Sequence, residues 1–143
     1  MEKTIRHSKK RAVILTLLQS TDIHPSAEWI YQSLKSTQPN LSLGTVYRNL
    51  SFFQNQGMVK SIGVVNGQER FDHNTTPHSH LVCSVCSAVI DLHQVALDPA
   101  LNHTVSEQYS CKIMRHELMF HGICEHCGKK EKSQASLCSL PNT

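Results

Sequence analysis

Residues 8–19 read Ser-Lys-Lys-Arg-Ala-Val-Ile-Leu-Thr-Leu-Leu-Gln, with Ala12, Ile14, Leu15, Leu17 and Leu18 making a broad apolar face. That pattern predicts a helix, with Ser8 placed to cap it. A second helix is predicted from Pro25-Ser26, because proline fits a first turn and Glu28 suits the positive helix end. It carries Ala27, Trp29, Ile30, Tyr31 and Leu34. Pro39-Asn40 breaks the pattern. Ser42 then reads as the cap of a third helix from residue 43 to about 56, which Gly57 ends.

After Gly57 the period shortens to that of a strand. Met58-Val-Lys-Ser-Ile and Val64-Val65 lead to Asn66-Gly67, a strong two-residue hairpin signal, and residues 68–71 return. Three helices and a hairpin predict a winged helix-turn-helix, whose third helix lies in a DNA major groove. Beyond it, strands are predicted at 78–83, 88–92 and 112–122, with a weakly marked helix near 99–109. Residues 129–143 are polar and read as a frayed tail. The fold class is therefore α+β, with a winged-helix domain over 1–69 and a small α/β domain over 70–143. The hinge falls in the polar connector at about 68–77, and no internal repeat is evident.

Composition adds limits. With 143 residues, 39% apolar and 17% charged, the chain suits one medium domain or two small ones. No apolar run approaches the ~20 residues that a membrane span requires. The first residues form no apolar signal core, so a cytoplasmic location is expected. Net charge is +3, unevenly spread. Residues 1–67 hold eight basic and three acidic side chains, a net of +5; residues 68–143 hold six basic and eight acidic, a net of −2. The basic first half suits a polyanion such as DNA.

Six cysteines without an export signal argue against a disulfide framework. Cys83-Ser-Val-Cys86 and Cys124-Glu-His-Cys127 stand 37 residues apart, and two such pairs together form a closed tetrathiolate site suited to structural zinc. The alternative is unrelated reduced pairs or redox thiols. Zinc is preferred because each pair sits beside a predicted strand and neither opens a predicted helix. Cys111 and Cys138 have no spaced partner, and ordinary exposure or burial is expected of them.

Seven of the ten histidines lie between His73 and His121. In His78-Ser-His80, alternate strand positions point both imidazoles the same way, so they can converge on one ion. Asp72 lies six residues before His78, and Asp91 eleven after His80. Such a mixed nitrogen and oxygen set suits Fe²⁺, Mn²⁺ or Zn²⁺.

Arg70-Phe-Asp, His78-Ser-His80-Leu-Val-Cys83-Ser-Val-Cys86, Asp91, and the run from His116 to Cys127 together resemble the ferric uptake regulator (Fur) family. So does the segment from Pro39 to Leu50, with Thr45-Val-Tyr47-Arg48. The resemblance covers about residues 8–130. It implies a homodimeric repressor of genes that binds an inverted-repeat operator in double-stranded DNA when metal is bound, and not an enzyme or a membrane protein. By resemblance Cys83, Cys86, Cys124 and Cys127 hold structural Zn²⁺, while His24, Asp72, His78, His80 and Asp91 hold regulatory Fe²⁺ or Mn²⁺. In the DNA-binding half, Tyr47 and Arg48 approach bases, and Lys9, Lys10, Arg11 and Lys60 contact phosphates.

The family's peroxide-sensing branch tends to carry Asp where its iron-responsive members carry Glu, and this chain has Asp91. A second site found in many members would fall here on Pro77, Ser79, Asp98 and His116, of which Pro77 cannot ligate and Ser79 does so poorly. His116 then reads as a buried or hydrogen-bonded strand residue. Both departures favour a peroxide sensor in which iron-catalysed oxidation of His24 or His78 ejects the metal. Arg48, typical of the iron-responsive branch, Ser87 in place of a usual glycine, and a short leading helix depart from that pattern. The alternatives are an iron- or zinc-responsive member, and more distantly a small metalloenzyme or a zinc-ribbon interaction module. No His-Glu-x-x-His helix, nucleophile elbow or phosphate loop supports an enzyme, and a zinc ribbon leaves residues 1–67 unexplained.

Overall fold

A computed structural model describes residues 9–137, with side chains through Gln134. Ser8, the expected first cap, and Cys138 lie outside the described residues. The order is α1 (Lys9–Gln19), α2 (Ala27–Leu34), α3 (Leu43–Asn55), β1 (Lys60–Val65), β2 (Gln68–Asp72), β3 (Ser79–Cys83), β4 (Val89–Leu92), α4 (Pro99–Gln108), β5 (Met119–Gly122) and α5 (Glu125–Leu137). These form two compact units that divide between Thr76 and Pro77. Because β2 is laddered to β1, residues 70–72 go with the first unit, and the division lies past residue 69 but inside the connector expected at about 68–77.

In the first unit α1 buries Ile14 and Leu18, one turn apart, while Ala12 on the expected face is exposed. α2 starts at Ala27, one residue beyond Ser26, whose Oγ accepts from the Trp29 amide at 3.2 Å. Pro25 therefore precedes the cap instead of occupying the first turn. Its carbonyl accepts from the Phe71 amide at 3.1 Å, which ties the loop to β2. α3 is capped by Ser42, whose Oγ accepts from Thr45 N at 3.1 Å, and it buries Val46, Asn49, Leu50 and Phe53 at helical spacing. Val46, Leu50 and Phe53 join Ile30 and Phe71 in one apolar core. The hairpin turns on Asn66 and Gly67, both at positive φ (50° and 77°), as a type I′ turn requires. This is a winged helix-turn-helix.

The second unit holds a three-stranded sheet in the order β4-β3-β5, with β4 antiparallel and β5 parallel to β3. The strand expected over 112–122 shrinks to Met119–Gly122, since β3 offers only five residues against which it can pair. Nor is the tail frayed from residue 129: α5 runs to Leu137. Its Lys, Glu, Gln and Ala residues favour helix without an apolar stripe, so hydrophobic periodicity could not reveal it. A Glu125–Lys129 ion pair spans its first turn.

Candidate functional site

Cys83 ends β3, Cys86 lies in the turn after it, Cys124 immediately precedes α5, and Cys127 sits in that helix's first turn. The second pair thus does open a helix, contrary to the expectation, and position alone no longer separates zinc binding from redox chemistry. Convergence does. One sulfur from each of the four lies within 4.8 Å of the others, and Cys86 Sγ stands 3.8 Å from Cys124 Sγ. Backbone N–H groups, foremost that of Cys124 at 3.4 Å, pull the Cys83 thiol down to about 6. Burial pushes the Cys127 thiol up to about 12, followed by hydrogen bonds among the cluster's own sulfurs. Four crowded thiols cannot all ionise against one another, and a dication is the partner that lets them do so. The residues fit zinc. Ser87 follows the first pair at φ 61°, a left-handed turn that glycine adopts freely and serine reaches at a cost of about 1 kcal/mol.

In the same unit, His80 and Asp91 are register partners across β3 and β4. His78 Nε2 lies 2.8 Å from Asp91 Oδ1, and His80 Nε2 lies 3.2 Å from the same oxygen. Both imidazoles are buried. Two ring nitrogens aimed at one carboxylate oxygen suit a single divalent ion of borderline hardness.

In the first unit, His24 Nε2 stands 3.4 Å from Asp72 Oδ2, with both residues buried. The other carboxylate oxygen of Asp72 accepts from Asn74 N at 2.8 Å, which fixes its orientation. His24 has φ 55°, a conformation that costs a non-glycine residue and clusters at functional positions. Arg70 holds that turn: its Nη2 donates to the Ile23 carbonyl at 2.7 Å and its Nε to the His24 carbonyl. Strand alternation puts Arg70 and Asp72 on one side of β2 and Phe71 in the core. Burial lowers the Arg70 pKa from its ordinary value. The sequence showed Arg70 only as a motif letter, because its work depends on two carbonyls 46 and 47 residues away.

On α3, Tyr47 and Arg48 are exposed. Tyr47 donates its hydroxyl to Glu28 Oε1 at 2.5 Å, a bond that lowers the Glu28 pKa and raises that of Tyr47. Arg48 Nη2 donates to Thr45 Oγ1 at 2.9 Å. Lys9 is exposed, whereas Lys10 donates to the Asn40 carbonyl at 2.6 Å. Arg11 bonds Asn49 Oδ1 at 3.0 Å and lies 3.9 Å over the Phe52 ring. Lys60, at the start of β1, is half-buried.

The residues matching a second site are engaged elsewhere. Asp98 caps α4 through Ala100 N at 2.9 Å, Ser79 Oγ reaches the Val95 carbonyl at 3.5 Å, and His116 Nδ1 pairs with Asn102 Oδ1 at 2.7 Å. His116 lies before β5, not on a strand. Cys111 is exposed. No described helix is long and apolar enough to cross a membrane.

The model of the ferric uptake regulator family matches residues 2–121, a span that stops short of the second cysteine pair. The peroxide operon regulator of Bacillus subtilis is 35% identical over 130 residues, covering 91% of this chain and 89% of that protein. The peroxide-responsive repressor PerR of Staphylococcus epidermidis is 32% identical, covering 86% of this chain and 81% of its own. Among solved structures, the Campylobacter jejuni peroxide stress regulator superposes with a TM-score of 0.67 at 28% identity, covering 82% of this chain and 88% of that one.

Proposed function

The chain belongs to the ferric uptake regulator family, and we propose that it is a homodimeric, metal-dependent transcriptional repressor that senses peroxide. The observation that carries this reading is the pair of buried imidazoles, His78 and His80, aimed at Asp91. We assign the regulatory ion to His24, Asp72, His78, His80 and Asp91, and structural zinc to the four clustered cysteines. Five residues of connector separate Asp72 from His78, so one ion would draw its ligands from both units. The bound ion would favour the form that binds DNA, and losing it would release the operator. Bound Fe²⁺ would activate peroxide, and a ligand imidazole, with His24 and His78 as the candidates, would supply the two electrons that reduce it to water.

The second unit also supports self-association. Register places Ile90, Leu81 and Phe120 in one row across β4, β3 and β5, and Ile90 and Phe120 are exposed. α4 buries none of its residues. An apolar row of this kind suits a second copy of the chain.

The reading is tested by titrating labelled inverted-repeat DNA with zinc-loaded protein, with and without Mn²⁺. Tight binding is expected only with Mn²⁺, and equal binding after chelation of the added metal would refute it. Arg48→Ala should relax preference at one base position per half-site by roughly 1–3 kcal/mol, and Lys9→Ala should lower the salt slope by about one unit on every sequence. An Arg48 variant with unaltered base preference removes α3 from the groove.

Arg70→Lys keeps a positive charge but loses the fork that holds the His24 turn. Mn²⁺ affinity is expected to fall about 10- to 100-fold, the range seen when support for a metal ligand is removed. Far-UV circular dichroism should stay unchanged. Wild-type affinity in the lysine variant would show that His24 needs no such clamp.

A further inference from the structure

His93 is the first residue after β4, and none of the ligand sets assigned above includes it. Its Nε2 lies 3.5 Å from Asp91 Oδ2, while His78 and His80 approach the other oxygen, Oδ1. Its ring centroid is 5.2 Å from that of His78. Strand alternation accounts for the placement, since residues two apart at the end of β4 share a side. The turn that carries it is closed by Val95 N donating to the Leu92 carbonyl at 3.1 Å. Fully buried Ser79, between the two ligand histidines, reaches the Val95 carbonyl from β3. His93 itself is exposed, its side chain at 62%.

We propose that His93 is an exchangeable fourth ligand that the second unit supplies to the regulatory ion. The inference rests on the regulatory assignment made above. An imidazole nitrogen and a carboxylate oxygen bound side by side to one ion stand about 3 Å apart, given bonds of ~2.0–2.2 Å. The observed 3.5 Å is a small rotamer adjustment from that arrangement, and an exposed side chain makes it freely. Without His93 the second unit offers three ligands; with it, the unit offers three imidazoles and a carboxylate, a complete four-coordinate set. Of the second unit's four, His93 alone is exposed, so it is the one that can exchange with solvent.

The test uses full-length, zinc-loaded protein titrated with Co²⁺, reading affinity and the ligand-field absorption band. His24→Ala should still bind Co²⁺ with about tenfold lower affinity and an intense four-coordinate band. His24→Ala/His93→Ala should lose at least a further tenfold and change the band. Zinc content and circular dichroism, unaltered by substitution at the exposed His93, exclude unfolding. A double variant with the affinity and spectrum of His24→Ala overturns the role of His93 and leaves the regulatory site standing. Undiminished binding by Asp91→Ala overturns the regulatory assignment, and the His93 proposal falls with it.

Discussion

Replacing Cys83 or Cys127 by serine is expected to release one zinc per chain and to lower the melting midpoint by at least about 10 °C. The size of the effect follows from what fills the second unit. Among the described residues, one of two clusters of buried residues consists of Cys83, Cys124 and Cys127 with Ala88 packed against them. Beyond it, the buried apolar side chains among the unit's described residues are Val82 and Val89, and α4 contributes none. The thiol cluster therefore occupies the place of a hydrophobic core, and the metal that holds it joins the β3 turn to the start of α5. Serine keeps the volume but not the thiolate, leaving three crowded sulfurs and an alkoxide-poor ligand. Cys111→Ser is the control, since that thiol is exposed and outside the cluster, and it should leave both readings unchanged. Full zinc retention with an unaltered midpoint in both cluster variants would refute the tetrathiolate assignment.

The first unit was legible almost residue by residue. Ser26 and Ser42 cap their helices, and Asn66-Gly67 turns the hairpin, because each local signal agrees with the burial pattern around it. The second unit was less legible because its elements are short and a thiol cluster supplies much of its interior. β5 is set by the length of β3, not by its own alternation, and α5 has no apolar stripe to announce it. The ligand types were readable from spacing: His78 and His80 flank a strand residue, and Asp91 proves to be the register partner of His80. What spacing could not show was support. Arg70 acts on a loop 46 residues away, and Ser79 matters for the turn it reaches rather than for a metal.

Exposure of the Fe²⁺-loaded dimer to hydrogen peroxide is expected to add one oxygen atom to His24 or His78 and to abolish operator binding. The imidazole takes one oxygen of peroxide and supplies the two electrons, the other oxygen leaving as water; because the ion would do the activating, oxidation is expected only at residues beside it. His78 is the candidate in the second unit, its Nε2 2.8 Å from Asp91 Oδ1. His24 is the candidate in the first, held at Asp72 by the Arg70 clamp. An oxidised ring is a poorer ligand. On the proposed ligand set, its loss would free the ion and with it the DNA. The Mn²⁺-loaded dimer should keep both its mass and its operator, because Mn²⁺ is far less prone to reduce peroxide. Asp91→Glu should preserve Mn²⁺-dependent DNA binding while blunting the oxidation, since the longer side chain alters how the carboxylate meets His78 and His80. Thiol oxidation is the competing route, and it would release zinc together with iron. Peptide mapping separates the two. Modified histidine with zinc retained supports the sensor, whereas intact histidines beside oxidised Cys83 or Cys124 would leave a repressor that answers to iron or zinc but not, by this chemistry, to peroxide.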